Sequence, residues 1–453
     1  MNRKKFLRVL ALFAASSIAL SAAACSTDTT AVTTASVATF SEETTASSTE
    51  TSIAETTETE PSVSETTFIS AEDIKINDTI DSSEDSEHAI EVSGGSESYS
   101  NIMVTKTGDS DEGDKADFYG DNSAIFATDG ADLTLTNIIV DTDGKHANAV
   151  FSYGEDTTVT ISDSVITTSG NCSGGLMTTG GGTMIASDLN IHTTGNSSAA
   201  IRSDRGGGTV IVTCGSYVTD GKGSPVIYST ADITVSDAVM ESTSSQGIVI
   251  EGRNSVALNN VTLTADNNSK NSDKSSWYQA VMIYQSMSGD AKEGLAVFTM
   301  EGGSLANKNG DIFFVNNTRA TITITNAEIV NLDESGVFLR AAAAGWGSEG
   351  KNGGKVNLYL NNQTLEGDII VDNISMLNMN LASGTVYSGA VNEDDEGDVY
   401  VTIESGSKWI LTGDSYISSI TCDAGAVDLN GHTLYVDGEV YNGGSSSGTM
   451  ADI

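Results

Sequence analysis

A short polar run near the middle of the chain combines two guanidinium groups with a carboxylate. Arg202, Asp204 and Arg205 lie within residues 202–208, a segment that ends in three glycines, in a chain with only 21 basic residues among 453. Guanidinium groups bind carboxylates and other oxygens through paired hydrogen bonds. We therefore expect these three residues either to contact a ligand or to pair with one another in a structural role.

A second candidate site is an acidic loop in which carboxylates recur at short intervals. Asp109, Asp111, Asp114 and Asp117 offer the oxygen ligands that a hard cation such as calcium requires. The loop is not an EF-hand, because Gly113 stands where the fifth-position ligand belongs. The sequence therefore predicts either calcium binding or a solvated acidic loop.

Two longer polar loops carry aromatic residues that can stack on sugar rings. The loop 266–279 contains Trp277 and Tyr278, and the loop 340–354 contains Trp346. Long loops on a regular scaffold often bind ligands, and a flat aromatic face suits a sugar ring. We expect these aromatic residues either to contact a ligand or to fix their loops to the body of the protein.

The elements that position these residues follow from an internal repeat. An apolar residue, a spacer, Asn or Asp, two further spacers and an apolar residue recur at intervals of about 21 to 26 residues, with two longer steps. Because no helices separate the short strands, a βαβ sheet does not fit. The blades of a β-propeller need about 40 residues, and the strands of a β-sandwich would not recur with matched Asn/Asp positions. The pattern therefore predicts stacked parallel rungs. The Asn and Asp positions are expected to form a structural ladder of turn residues. They are Asn137, Asp163, Asp188, Asp237, Asn260, Asn326 and Asn362.

A second repeated unit, small residues followed by large ones, orients several candidate binding residues. Successive side chains of a strand point to opposite faces, and one of the two alternating positions is always aliphatic and is therefore predicted to face inward. The residues at this position are Ile125, Val150, Leu176, Ile201, Ile227 and Val249. The residues that follow them in each strand are predicted to face outward, and we call this row the outward stripe. It consists of Phe126, Phe151, Met177, Arg202, Tyr228 and Ile250. This stripe is either a groove for an extended polymer, with Tyr153 beside it, or a surface covered by the segment 71–98 or by a long turn.

The N-terminus predicts export and lipid anchoring. Residues 1–24 combine a basic start, an apolar stretch too short to cross a membrane and a small-residue end, as is typical of a signal peptide. Cys25 follows directly and resembles the acylated Cys of a bacterial lipobox, with Ala22 in place of the usual Leu. We therefore expect an extracytoplasmic protein held to the cell membrane by lipidated Cys25.

Composition predicts the organisation of the remaining chain. Residues 25–70 have the Ser/Thr/Glu-rich composition of a disordered tether, 71–98 are expected to form a cap or first strands, and 99–453 the β-helix. The formal net charge of −41 repels other polyanions, so we expect no nucleic-acid partner.

The repeat pattern of residues 99–453 resembles that of the right-handed parallel β-helix proteins of the pectate-lyase-like superfamily, in particular their adhesin-like and carbohydrate-binding surface lipoproteins. The resemblance implies an all-β, single-stranded right-handed β-helix of about 12 rungs of about 21 to 26 residues. It includes no catalytic signature. A lyase of this superfamily would use Arg202 or Arg205 as its base, with Asp204 as a calcium ligand.

Three functions remain open from the sequence. The leading hypothesis is a non-enzymatic cell-surface lipoprotein that binds an extended polymer, a polysaccharide, through the outward stripe and needs no cofactor, although calcium is a candidate. The second is a polysaccharide lyase or glycoside hydrolase. The third is an adhesin or spacer with a protein partner. Fold alone does not choose among them.

Overall fold

The protein is a parallel β-helix, described by a computed structural model over residues 68–453 except 271, 447 and 449. The fold prediction is thus confirmed, and the long parallel sheets are consistent with the right-handed form. The predicted signal peptide (1–24), Cys25 and the predicted tether as far as residue 67 lie outside the described residues.

The described chain contains one 3₁₀ turn (Ala71–Asp73), one α-helix, α1 (Gly113–Tyr119), and 38 strands. The first half of the strands are β1 (Asp78–Ser82), β2 (Ile90–Ser93), β3 (Ser96–Ser100), β4 (Ile102–Lys106), β5 (Ile125–Thr128), β6 (Asp132–Thr136), β7 (Ile139–Thr142), β8 (Val150–Tyr153), β9 (Thr158–Thr168), β10 (Leu176–Thr179), β11 (Gly182–Thr193), β12 (Ile201–Ser203), β13 (Gly208–Thr219), β14 (Ile227–Ser229), β15 (Asp232–Ser236), β16 (Val239–Ser242), β17 (Ile248–Glu251), β18 (Ser255–Asn259) and β19 (Thr262–Ala265).

The second half are β20 (Gln279–Tyr284), β21 (Leu295–Glu301), β22 (Ser304–Asn307), β23 (Asp311–Asn316), β24 (Arg319–Thr325), β25 (Glu328–Asn331), β26 (Val337–Ala341), β27 (Lys355–Asn361), β28 (Thr364–Glu366), β29 (Asp368–Val371), β30 (Met376–Ala382), β31 (Val386–Ser388), β32 (Asp398–Ile403), β33 (Lys408–Ile410), β34 (Ser415–Ile417), β35 (Ser419–Cys422), β36 (Val427–Asp428), β37 (Leu434–Val436) and β38 (Glu439–Val440).

Pairing between successive rungs joins the strands into four sheets. The first sheet, of 20 strands, contains β1, β3, β4, β6, β7, β9, β11, β13, β15, β16, β18, β19, β21, β22, β24, β25, β27, β30, β32 and β35. The second sheet, of 11 strands, contains β2, β5, β8, β10, β12, β14, β17, β20, β23, β26 and β29. Two short sheets, β28-β31-β33-β36 and β34-β37-β38, close the C-terminal rungs. The single antiparallel pair in the described chain is β37 with β38.

Each early rung places one short strand in the second sheet and then bends within the first sheet. All seven residues of the predicted Asn/Asp ladder occupy this bend in the left-handed conformation, with φ between 48° and 55°. Asn and Asp tolerate this conformation better than other residues that carry a Cβ. Ladder side chains also form hydrogen bonds between neighbouring rungs: the Asn260 amide donates to the Asp237 carboxylate over 2.7 Å. The ladder is therefore architectural.

A second ladder of glycine and serine packs the turns before the second sheet. A side chain on Gly170 would overlap the carbonyl oxygen of Gly144, and one on Gly195 would overlap that of Gly170. The Ser173 hydroxyl donates to the Gly144 carbonyl over 2.8 Å, and Ser198 donates to Gly170 over 3.0 Å. These turns stack because each glycine has no Cβ at the point where the carbonyl oxygen of the preceding rung approaches.

The core is one continuous apolar column inside the rungs. Five of the residues predicted to face inward, Ile125, Val150, Leu176, Ile201 and Ile227, belong to it. The prediction that Val249 faces inward and Ile250 outward was wrong. Tyr228 pairs with Val249, so Val249 faces outward and Ile250 faces the core. The cause is the aliphatic triplet 248–250, which carries no sign of which alternating position faces inward.

Candidate functional site

The outward side of the second sheet carries the predicted stripe in strict register. Phe126 pairs with Phe151, Phe151 with Met177, and Met177 with Arg202. Arg202 pairs in turn with Tyr228, after which the row continues through Val249, Met282, Phe314 and Arg340. Strand pairing therefore confirms that these side chains form one row along the rod.

The first half of the stripe is covered by the segment 107–123, which contains α1 and which we call the α1 cover. Phe151 and Met177 are fully buried, and Phe126 retains 8% of its exposure. His88 stacks on Phe126 with 4.7 Å between ring centroids, and Tyr153 packs against the same cluster. These four residues of the predicted groove, Phe126, Phe151, Tyr153 and Met177, thus form a packed interface beneath a long turn.

Charged and aromatic contacts hold the α1 cover in place. Oδ1 of Asp117 lies 3.0 Å from Nδ1 of His146 and 3.6 Å from Nη1 of Arg202. The Thr179 hydroxyl donates to the Phe118 carbonyl over 2.8 Å. The Arg205 guanidinium lies 3.9 Å above the Phe118 ring, and Asp290 binds it over 2.6 Å.

The four candidate calcium ligands differ in their surroundings. Asp109 accepts a hydrogen bond from the Lys145 amide over 2.7 Å, and Asp111 lies 3.3 Å from the Lys145 ammonium. Asp114 is exposed on α1, whereas Asp117 is buried. The structure does not bring these carboxylates to one centre, and calcium binding stays a prediction.

One other group of side chains within the described chain is close enough together to ligate a metal ion. Ligand atoms of Asp117, His146 and Cys172 lie within 4.8 Å of one another, and all three residues are buried. His146 and Arg202 both contact the Asp117 carboxylate, so this carboxylate fixes the α1 cover to the β-helix.

Arg202 and Asp204, the candidate catalytic pair, are buried and bound to each other. Nη2 of Arg202 donates to Oδ2 of Asp204 over 2.8 Å. Burial alone would lower the pKa of Arg202, but the Asp117 and Asp204 carboxylates hold it above its ordinary value. Burial raises the pKa of Asp204 to about 7, even though Arg202 favours the ionised form. The hypothesis that Arg202 or Arg205 acts as a lyase base stays a prediction.

The second half of the stripe is covered by the two inserted loops that were predicted as binding loops. Trp277 packs on Phe314 with 5.5 Å between ring centroids, and Trp346 packs edge-on against Tyr284 at 5.2 Å. The Arg340 guanidinium lies 4.6 Å from the Trp277 ring. Tyr278, the remaining predicted aromatic residue, lies 4.7 Å from the Lys270 ammonium. Both loops are thus fixed by their aromatic residues and still leave part of them accessible.

Between the α1 cover and the two loops lies a cavity of about 140 Å³, which we call the stripe cavity. Four predicted binding residues line it: Arg202, Tyr228, Trp277 and Trp346. Residues that sequence patterns did not identify line it too, among them Lys270, Gln279 and Tyr284. The cavity therefore has aromatic walls and polar groups that come from five separate segments of the chain.

Two buried polar atoms of cavity-lining residues have no hydrogen-bond partner among the described residues. They are Nη1 of Arg202, a donor, and Oε1 of Gln279, an acceptor. Arg202 is 5% exposed and Gln279 only 1%. Leaving buried polar groups unpaired costs free energy, so such atoms mark a place for a ligand or ordered water.

A buried carboxylate supports the floor of the stripe cavity. Glu251, fully buried, accepts hydrogen bonds from the Tyr228 hydroxyl over 2.6 Å, from the Tyr284 hydroxyl over 3.0 Å and from Ser286. Burial, followed by the nearby Glu251 charge, raises the pKa of both tyrosines well above the ordinary value. The two phenols therefore stay protonated as donors and are held at fixed positions in the cavity wall.

Comparison with known proteins gives partial, low-identity similarities to bacterial autotransporters. The chain is 27% identical over 152 residues to the autotransporter adhesin/invasin TibA of Escherichia coli O78:H11, a match that covers 32% of this chain and 15% of TibA. It is 25% identical over 148 residues to autotransporter CRAC of Citrobacter rodentium, covering 31% of this chain and 9% of that protein. These matches and the parallel sheets support an adhesin-like β-helix.

The other comparisons add no closer assignment. No protein-family model matches the chain, and no solved structure matches it significantly. Within residues 68–453, as far as they are described, no helix is long and apolar enough to cross a membrane.

Proposed function

We propose that this protein is an adhesin-like cell-surface protein that binds a sugar unit of a larger glycan in the stripe cavity. The observation that carries the proposal is that two buried atoms, Nη1 of Arg202 and Oε1 of Gln279, form no hydrogen bond in the described chain and belong to residues that line a cavity walled by Trp277 and Trp346. Nη1 of Arg202 keeps its 3.6 Å ion-pair contact with Asp117. The binding site proposed here is thus the section of the stripe that borders this cavity, and not the whole stripe.

The chemistry of the cavity suits a sugar ring. Half-buried tryptophan faces bind the apolar face of a ring, while a donor and an acceptor at fixed positions recognise its hydroxyl groups. A sugar hydroxyl can accept a hydrogen bond from a guanidinium such as that of Arg202, and a sugar hydroxyl can donate one to an amide oxygen such as that of Gln279. The tyrosines bound by Glu251 need no rearrangement to form the remaining wall, and this limits the entropic cost of binding.

The proposed cell-surface location rests on the N-terminal sequence and on the similarity to autotransporter adhesins. Lipid on Cys25 and the tether to residue 70 would hold the β-helix outside the membrane. In the native bacterium, we expect labelled palmitate to be incorporated into the full chain and not into Cys25→Ser. Equal labelling of both forms would contradict the lipid anchor and leave the cavity proposal unaffected.

The test of the cavity is a broad glycan array probed with the purified chain and three variants. Trp346→Ala should lose binding, and Gln279→Leu should weaken it by about tenfold or more, because the ligand loses a hydrogen bond in a desolvated site. Gln279→Leu should also be at least as stable as the parent chain, since it removes an unsatisfied buried group. Tyr359→Ala, on the opposite first sheet, is the control and should bind as the parent does.

The alternative of an adhesin with a protein partner is supported by the partial similarity to the adhesin/invasin TibA. Binding to host cells that survives enzymatic removal of their surface glycans would favour a protein partner. A blank array together with such binding would overturn the sugar proposal.

A further inference from the structure

A second surface feature lies on the other side of the loop 340–354. Trp346 of this loop lines the stripe cavity, whereas Ser348 and Lys351 line an open groove of about 500 Å³. Arg319 and Lys355 form the neighbouring wall, and Glu293 is the acidic residue in the lining. We call this surface the cationic groove.

Its cations stand side by side without acidic partners. Arg319 and Lys355 are the first residues of β24 and β27 and are paired in register, so both side chains leave the same face on adjacent strands about 4.8 Å apart. Both are exposed, as is Lys351. None of the three forms a salt bridge within the described chain, although the full sequence contains 62 acidic residues.

Two further cations extend the groove. Arg253 and Lys292 are exposed, and the Arg253 amide donates to the Lys292 carbonyl over 2.7 Å. A Cβ on Gly294, which lines the groove, would lie 2.8 Å from the Arg253 side chain. Like charges directly opposite on adjacent strands destabilise a sheet. Their accumulation here, in a chain of net charge −41, therefore calls for an anionic ligand.

We propose that the cationic groove binds a sulfated saccharide segment. A sulfate group is fully ionised and carries three oxygens, so one group can bridge two cations that stand a strand apart. Salt weakens the repulsion between a bound sulfate and distant carboxylates, because the Debye length is about 8 Å at physiological ionic strength. Gln285 also lines the groove and has a buried Oε1 without a hydrogen-bond partner in the described chain, which suits a sugar hydroxyl.

The test measures retention of the full chain on an immobilised heparin-derived saccharide and on its desulfated counterpart. We expect retention on the sulfated form, loss on the desulfated form, and a steep decrease with ionic strength. Arg319→Gln with Lys355→Gln should weaken binding by about tenfold or more. Lys222→Gln with Lys408→Gln removes the same charge at exposed positions elsewhere and should bind as the parent does.

Three further variants separate binding in the groove from a general charge effect and from binding in the stripe cavity. Glu293→Gln should tighten binding, since it removes the carboxylate from the groove. Lys355→Gln alone should raise the thermal midpoint by about 1 °C at low salt, because it relieves the like-charge pair, while binding falls. Trp346→Ala should still bind the sulfated saccharide, so failure of the cavity proposal and failure of this one are distinguishable.

Equal loss in the groove and control double variants would overturn the proposal. So would equal retention of the desulfated saccharide, or equal binding of a single-stranded oligonucleotide, because either result would show that the groove does not select sulfated sugar.

Discussion

Asp117 in α1 contacts His146 on the wall of the β-helix, with 3.0 Å between Oδ1 and Nδ1. The same carboxylate lies 3.6 Å from Arg202, a residue of the outward stripe that also lines the stripe cavity. One side chain thus connects the α1 cover to the cavity wall. Because all three residues are buried, the strength of these contacts bears directly on whether the stripe stays covered.

Removing this carboxylate should loosen the α1 cover. Asp117→Ala leaves His146 and Arg202 buried without it, and breaking a buried charge pair lowers the free energy of unfolding by about 3 kcal/mol. Urea unfolding measures the change. Asp114→Ala, an exposed substitution in the same helix, should stay within about 0.5 kcal/mol of the parent. Equal destabilisation by both would show that the pair does not hold the cover.

Asp204 should make stability depend on pH. Burial raises its pKa from the ordinary 3.8 to about 7, so the folded chain holds this proton more tightly than the unfolded chain does. The stability it contributes is therefore fully present below about pH 4 and is lost as the pH rises through about 7. The slope from this one group reaches at most about 1.4 kcal/mol per pH unit.

The measurement is the difference in unfolding free energy between the parent and Asp204→Asn, followed from acidic to neutral pH. The variant should gain on the parent as the pH rises, because it cannot ionise. Asp163→Asn, at an exposed bend where Asn is equally suited, is the control and should keep a constant difference. A constant difference for Asp204→Asn as well would mean that Asp204 is ionised throughout.

The architecture was predictable because its physical signals are local. A bend at φ near 50° favours Asn or Asp at each rung, and alternation within a strand separates core from surface. Other residues take this position in some rungs, such as Cys214 at φ 59° in β13 and Ser383 at φ 56°. The assignment of inward and outward faces was wrong at Val249 and Ile250, which belong to the aliphatic triplet 248–250.

The site was less predictable because its contacts join distant segments. Arg205 and Asp290 are 85 residues apart, and Glu251 and Ser286 are 35 apart, distances at which no motif links them. The stripe was visible in the sequence, whereas a seven-residue helix that covers it has no apolar pattern of its own. Trp277 and Trp346 were identified as candidates from their loops, but their role in enclosing a cavity depends on the packing of both loops on one sheet face.

Glu251 should matter both for stability and for the cavity. Glu251→Gln keeps the volume but replaces one acceptor oxygen with a donor amide that faces a hydroxyl. We expect a loss of about 2 kcal/mol in unfolding free energy and weaker glycan binding, since Tyr228 and Tyr284 lose their anchor. Glu301→Gln, on an exposed position of the first sheet, should change neither. Unchanged glycan binding by a destabilised Glu251→Gln would remove the two tyrosines from the proposed site.

The glycine ladder should be intolerant of a single methyl group. Gly170→Ala places a Cβ against the Gly144 carbonyl oxygen, a backbone atom that cannot move without shifting the stacked turn. We expect a loss of about 2–3 kcal/mol in chemical unfolding, as overpacking costs. Gly113→Ala, where the added atom meets the His146 ring at ordinary contact distance, should be nearly neutral. Similar behaviour of the two variants would mean that the turns can separate locally and that the glycine ladder does not constrain the stacking of the rungs.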